Sequence, residues 1–333
     1  MSFQRDDCEI EILSDPTTDL VVNLASYERV LKRTRLFAVG EVRCPPTHPL
    51  FKKGGGPQTC PYIDFMRSSV IRATDAHGPA VLTSNCANFQ NVGSTYQRQI
   101  LDERGDFNDW IAVSPSFLAE LSGDRVSSSR AADGVFFDKA FAPITPRQYM
   151  AQRHINEALA KNADISDLAF DEYLARLVES VVCSADGHWQ TQMKRKSSPR
   201  PTCESHQREV VEAVKERLAN EYWVNHSLAD LARHGHCSIS KLVRTFRIET
   251  GVTLHAYQQH ARIRASLQLL KDSTCDFSEI ASQLGFANHS HFTTVFRRQF
   301  GITPSEYKKD RSPRLTKRFV ETLGESRRRL ATA

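Results

Sequence analysis

Between residues 206 and 309 the chain nearly repeats itself at a shift of 50, and this repeat constrains the fold more than any other feature of the sequence. Aligning SLADLARHGHCSISKLVRTFRIETGVTLHAY, from Ser227, with FSEIASQLGFANHSHFTTVFRRQFGITPSEY, from Phe277, pairs Leu242 with Phe292 and Phe246 with Phe296. It also pairs Gly251 with Gly301, Thr253 with Thr303 and Tyr257 with Tyr307. Upstream, Leu231-Ala232 meets Ile280-Ala281 at a shift of 49, so the second copy has one extra residue between its first and second helices. Length differences of this kind belong in turns.

Each copy has the parts of a helix-turn-helix. A short helix carries a small residue, Ala232 or Ala281, that allows close helix approach, and Gly235 or Gly285 stands at the bend. Ser238 or Asn288 is a good N-cap for the second helix. Leu242 with Phe246, and Phe292 with Phe296, recur at i,i+4 and anchor that helix inward. The outward face is polar and basic: Ser240, Lys241, Arg244 and Arg247 in the first copy; His289, Ser290, His291, Thr293, Thr294, Arg297 and Arg298 in the second. A DNA major groove admits one α-helix, whose early side chains reach base edges while Arg and Lys further along meet phosphates. The alternative for such a face is simple solvation, and the duplication on a basic background weighs against it.

That background is local. The net charge of the chain is +5, yet residues 204–333 hold 21 Lys and Arg against 14 Asp and Glu, which leaves residues 1–203 at −2. An electropositive module joined to a near-neutral one suits polyanion binding coupled to a second task. Between the copies, HAYQQHARIRASLQLLKD forms a longer helix with Tyr257, Ala261, Ile263, Leu267 and Leu270 as its apolar positions. If both second helices enter successive major grooves, this helix must hold them roughly one turn of duplex, about 34 Å, apart.

The two copies resemble the DNA-binding domain of the AraC/XylS family of regulators, and GFANHSHFTTVFRRQFGITPSEYKK, from Gly285, is close to that family's signature in its second unit. The first copy departs from the pattern, with His236 where the family usually has Gly, and with Tyr257-Gln258-Gln259-His260-Ala261 in place of Tyr-Leu followed by basic residues. The resemblance covers about residues 206–310. It implies base contacts from Ser240 and Arg244 in the first copy and from His289, Ser290 and Thr294 in the second, with Lys241, Arg247, Arg297 and Arg298 left for phosphates. It further implies a cytoplasmic homodimer on double-stranded promoter DNA, an N-terminal effector or dimerisation domain of cupin-like β type, a small-molecule effector and a contact with RNA polymerase.

Upstream of the repeat, residues 21–121 are short apolar or alternating runs cut by Pro45-Pro46, Gly54-Gly55-Gly56-Pro57, His77-Gly78-Pro79 and Gly93, a pattern that predicts a β-sandwich or barrel. From Pro146 the period becomes helical, with Leu168, Tyr173, Leu174, Leu177, Val178 and Val181 as a stripe that needs either the β domain or a dimer partner to cover it. The expected class is α+β. Its parts are a β-rich domain over 1–145, a helical interface segment over 146–183, an exposed linker over 184–205, the double helix-turn-helix over 206–310 and a basic tail over 311–333.

Several functions lack the residues they need. No apolar run is long enough to cross a bilayer, and MSFQRDDCEIEIL has acidic groups where a secretory signal needs basic ones. A metal-bearing cupin needs a His-x-His, but residues 1–145 contain only His48 and His77; His289 and His291 have no Cys or carboxylate close in sequence to complete a site. Neither a metal, a cofactor nor an enzyme activity is expected. The eight cysteines follow no zinc or disulfide spacing. Cys44, Cys60 and Cys86 in the β region leave a thiol-sensing regulator as one alternative, and an interaction adaptor with a vestigial DNA-binding domain as another.

Overall fold

A computed structural model of the chain describes residues 11–13, 20, 22–24, 27–48, 51, 54–74, 78–123, 126–196, 201–272 and 275–309; the basic tail over 311–333 lies outside them. The N-terminal region is antiparallel β. Strands β3 (Glu28–Arg33), β4 (Phe37–Cys44), β5 (Tyr62–Met66), β8 (Cys86–Gln90), β10 (Asp106–Val113) and β11 (Phe141–Pro143) form a sheet in the order β11-β8-β5-β10-β4-β3. A second sheet has the order β7-β6-β9, from β6 (Val70–Thr74), β7 (Gly78–Leu82) and β9 (Gln97–Ile100), and β1 (Glu11–Leu13) pairs with β2 (Val22–Leu24).

The central strands are buried on both faces, with paired polar residues such as Asp64, Asp106 and Asp109 among the apolar ones. Phe37, Val39, Ile63, Phe65, Ile111 and Val113 point to the helical side. Their neighbours Ala38, Val42, Tyr62, Met66, Trp110 and Ala112 point the other way, and Val70 and Leu82 of the smaller sheet join them. A buried ion cluster lies at this inner face: Arg72 reaches Asp64 at 2.6 Å and Asp106 at 3.0 Å, and Arg98 reaches Asp106 at 3.2 Å. Buried charges persist when paired in this way.

Two short helices, α1 (Pro115–Ser122) and α2 (Ser128–Ala132), follow β10. Residues 115–121, expected within the β region, are thus helical: Ser114 caps Phe117 N and Pro115 takes the first turn. Helix α3 (Pro146–Ala160) starts at a capping box formed by Thr145 and Gln148. Helix α4 (Asp167–Lys196) buries Tyr173, Leu174, Leu177, Val178 and Val181 in the same core as the sheet, so the stripe is covered within its own chain. Leu168, expected in that stripe, is 81 % exposed.

The linker expected over 184–205 is a correction. Residues 184–196 continue α4 and residues 201–205 open α5 (Pro201–Asn220). Long-range contacts hold the first part in helix against its weak pattern: Ala185 is buried in the core, and the Gln148 amide donates to Ser184 Oγ at 3.1 Å. The remaining elements are α6 (Leu228–His234), α7 (Ile239–Thr250), α8 (Leu254–Asp272), α9 (Phe277–Gln283), α10 (His289–Phe300) and α11 (Pro304–Lys309).

Candidate nucleic-acid interface

The two repeats fold as two helix-turn-helix units, α6–α7 and α9–α10. Residues 235–238 connect the first pair and residues 284–288 the second, so the extra residue of the second copy sits in its turn. Ser227 accepts from Asp230 N at 3.1 Å to start α6, and Asp276 with Glu279 makes a capping box for α9. Ser238 accepts from Lys241 N at 3.3 Å and Asn288 from His291 N at 2.8 Å, starting α7 and α10 where the sequence places them. Both second helices end on a left-handed glycine, Gly251 with φ 75° and Gly301 with φ 79°.

The turns differ in one informative residue. In the second unit Gly285 adopts φ 74°, and a Cβ there would run into the Trp223 carbonyl oxygen. The equivalent left-handed position in the first unit belongs to His236, with φ 50°, while Gly235 before it stays at φ −80°. A non-glycine residue in that region costs about 1–2 kcal/mol.

Leu242, Phe246, Phe292 and Phe296 are fully buried, and the opposite faces of both helices are exposed. Ser240, Arg244 and Arg247 lie outward on α7, with Lys241 half-buried on the flank. On α10, His289, Ser290, His291, Thr294, Arg297 and Arg298 lie outward and Thr293 is half-buried. His289 stacks on Phe277 at 5.7 Å between centroids, and Lys308 lies over the same ring. His291 meets Phe286 edge-on. Arg298, one residue or about 100° around the helix from Arg297, lines a cavity beside His260. Burial, together with Arg264 and Arg298, holds the His260 imidazole down at about 4.

Two exposed residues of α7 escape the sequence pattern. Ile239 and Val243 are 45 % and 41 % exposed, and Val243 falls between Ser240 and Arg247 on the outward stripe. An apolar side chain in an amphipathic helix is ordinarily assigned inward, although helical spacing alone places Val243 with the polar face. Apolar side chains in a major groove can contact thymine methyl groups.

Arg262 of α8 ties the units together, a role with no sequence signal. Its guanidinium donates to the Tyr222 carbonyl at 2.7 Å, the Val224 carbonyl at 3.0 Å and Asn225 Oδ1 at 2.9 Å, before the first unit, and to the Gly285 carbonyl at 2.7 Å in the turn of the second. Residues 231–310 match the helix-turn-helix domain family. The HTH-type transcriptional activator RhaR of Salmonella typhimurium is 35 % identical over 91 residues, 27 % of this chain. The C-terminal region is an AraC-type helix-turn-helix domain.

The similarity to RhaR covers 32 % of that protein, so the match spans about a third of the curated relatives' length. Among solved structures, the DNA-binding domain of AdpA in complex with a target DNA shares 24 % identity, covering 30 % of this chain and 90 % of that one with a TM-score of 0.29. ToxT of Vibrio cholerae shares 16 % identity over 75 % of this chain and 89 % of its own, with a TM-score of 0.29. The described residues include no helix long and apolar enough to cross a membrane.

The three cysteines of the β region are buried. Burial pushes the Cys44 thiol up to about 11 and raises that of Cys86. Both therefore stay protonated near neutrality, and the thiolate is the reactive form.

Proposed function

We propose that the protein is a sequence-specific transcription regulator that binds double-stranded promoter DNA by laying α7 and α10 in successive major grooves. Ser240 and Arg244 read bases in one groove, and His289, Ser290 and Thr294 in the other. Lys241, Arg247 and Arg297 hold phosphates, with Arg298 at the edge of that set. The observation that carries this reading is the match of the two faces: at equivalent positions α7 and α10 bury their apolar side and expose hydrogen-bonding and cationic groups. The AraC-type domain and the description of RhaR as a transcriptional activator support it.

Residues 1–145 serve as a cupin-like effector and dimerisation domain in this reading, supported by two antiparallel sheets that share an inner core. An effector acting there shifts how the AraC-type domains of a homodimer meet the promoter and RNA polymerase. Burial of Cys44, Cys60 and Cys86 speaks against the thiol-sensing alternative.

Selection of genomic fragments with the purified full chain tests the proposal. The expected outcome is an enriched motif with two conserved segments roughly 10 base pairs apart; recovery of unselected sequence defeats it. Arg244→Ala should relax preference at one base pair at a cost of about 1–3 kcal/mol, whereas Arg297→Ala should weaken binding to every sequence and lower the salt slope by about 1.

A further inference from the structure

The first helix-turn-helix unit and the β domain do not close tightly on each other. Between them lies a cavity of about 740 Å³, within the range of roughly 300–1,000 Å³ that small-molecule sites occupy. Its walls come from the start of β8, from β11 and the first turn of α3, and from α4, α5, the end of α7, α8 and α10. Parts of the β domain, of the two helices that follow it and of both helix-turn-helix units thus border one space.

The charge of this space is unbalanced. Lys139, Arg147, Arg208, Lys215 and Arg298 line it, against the carboxylates of Glu212 and Glu249. Glu212 is already engaged, accepting from Lys215 Nζ at 3.0 Å and from Val81 N at 2.5 Å. Another cation lies next to the wall. Arg264, 2 % exposed, donates to Asn85 Oδ1 and to the Ile144 carbonyl at 2.7 Å, both atoms belonging to lining residues. Among the described residues it makes no ion pair. Arg208 Nη2 is buried without a hydrogen-bond partner, although Arg208 lines the cavity. A buried guanidinium donor left unpaired is costly, and an anion within reach removes that cost.

The apolar part of the wall is equally specific. Phe141 lies under two of the cations, with the Arg208 guanidinium 5.9 Å and Lys215 Nζ 5.8 Å from its ring centre. Pro143, Ile144, Val211 and Val252 complete the apolar surface. Such a site matches a molecule with one anionic end and an apolar body.

We infer that this interdomain cavity binds a small organic carboxylate with an aromatic or aliphatic body, its head held by Arg208 and Arg147 and its body against Phe141 and Val211. The inference rests on the effector-modulated reading above and gives it a place and a ligand class. Occupancy bridges the β domain to α5 and to the end of α7, across the same gap now spanned by the Thr83–Tyr257 hydroxyl contact at 2.8 Å and the Asn85 bond to the Tyr257 carbonyl at 3.1 Å. Ligand binding therefore sets how the first unit is held relative to the second.

Titration of the full chain with benzoate, phenylacetate and 4-phenylbutyrate, in parallel with their amides and with inorganic phosphate, tests this by calorimetry and thermal shift. At least one carboxylate should bind at one site per chain, at least tenfold tighter than its amide and tighter than phosphate. R208Q and R208Q/R147Q should weaken that binding tenfold or more while leaving the ligand-free melting temperature within about a degree. Hydrogen exchange should slow on binding in residues 141–147 and 208–215. Equal binding of acid and amide, binding untouched by R208Q, protection elsewhere, or no binding by any of the three acids at millimolar concentration overturns the inference. Promoter selection without ligand is a separate readout: an enriched motif with no carboxylate binding rejects the cavity site alone, and carboxylate binding with no motif rejects the DNA-binding reading alone.

Discussion

The two helix-turn-helix units are near copies in sequence, yet they are built into the molecule differently. The first keeps a core of its own, in which Leu231, Leu242 and Phe246 pack with Val210, Val214 and Leu218 of α5. The second has no separate core: Ile280, Phe292, Phe296 and Phe300 belong to the same apolar cluster as Phe37, Ile63 and Ile111 of the sheet. Helix α8 spans both, giving Leu254 and Tyr257 to the first core and Ile263, Leu267 and Leu270 to the shared one. The second unit is thus joined to the sheet by apolar packing that runs through α3, whereas the β domain meets the first through polar contacts around a cavity. Apolar packing tolerates little displacement, whereas a polar, open contact can be rearranged by what fills it. The two copies present similar outward faces, but one is tied into the core shared with the sheet and the other keeps a core of its own.

The largest effect that can break this comparison comes from emptying each core. Phe292→Ala and Phe246→Ala should each cost about 3–5 kcal/mol, but with different reach. Urea titration followed by hydrogen exchange should show Phe292→Ala lowering protection in both the second unit and the sheet. Phe246→Ala should open the first unit in a separate, earlier step; a single common transition for both variants would mean that the two cores are one.

Gly285→Ala comes next. It combines a left-handed backbone, costing about 1–2 kcal/mol, with overpacking against the Trp223 carbonyl, costing about 1–3 kcal/mol. A fall of roughly 2–5 kcal/mol in denaturant stability is expected, and no change would remove the case for a glycine at that turn.

Arg262→Met sharpens the comparison at the joint between the units. Loss of its charge-assisted bonds to both sides should cost roughly 2–3 kcal/mol. Promoter affinity should fall further than either isolated unit's contacts explain, because the spacing of the two helices loosens. Unchanged affinity for a two-segment site, with stability lowered as expected, would show that α8 alone sets the spacing. The smallest effect is a gain: His236→Gly should relieve the strained turn of the first unit and raise its stability by up to about 1 kcal/mol. The same substitution is neutral or harmful only if the imidazole makes a compensating contact.

What could be read in the sequence was local. The caps at Ser238 and Asn288, the buried pairs Leu242–Phe246 and Phe292–Phe296, and the extra residue in the second turn all depend on neighbours a few positions away. The strands at Phe37–Cys44 and Asp106–Val113 announce themselves by their apolar runs, but β3 is too polar and β11 too short to do so. The stretch 184–196 has no helical periodicity worth the name, and contacts such as Gln148 to Ser184 keep it helical. Val243 was hidden by its apolar side chain, and Arg262 by its charge, since each occupies a place that residue type alone assigns elsewhere.

By itself, then, the sequence determined the repeated unit, its capped helices and its two basic outward faces, because helix formation and amphipathic burial are decided over one or two turns of chain. Only the tertiary structure decided which unit joins the β core, that Arg262 locks the units together, and that cations from residues 139 to 298 gather around one cavity. Those outcomes depend on groups far apart in the chain, whose meeting carries no short-range signal and whose charge becomes consequential only once water is excluded from around it.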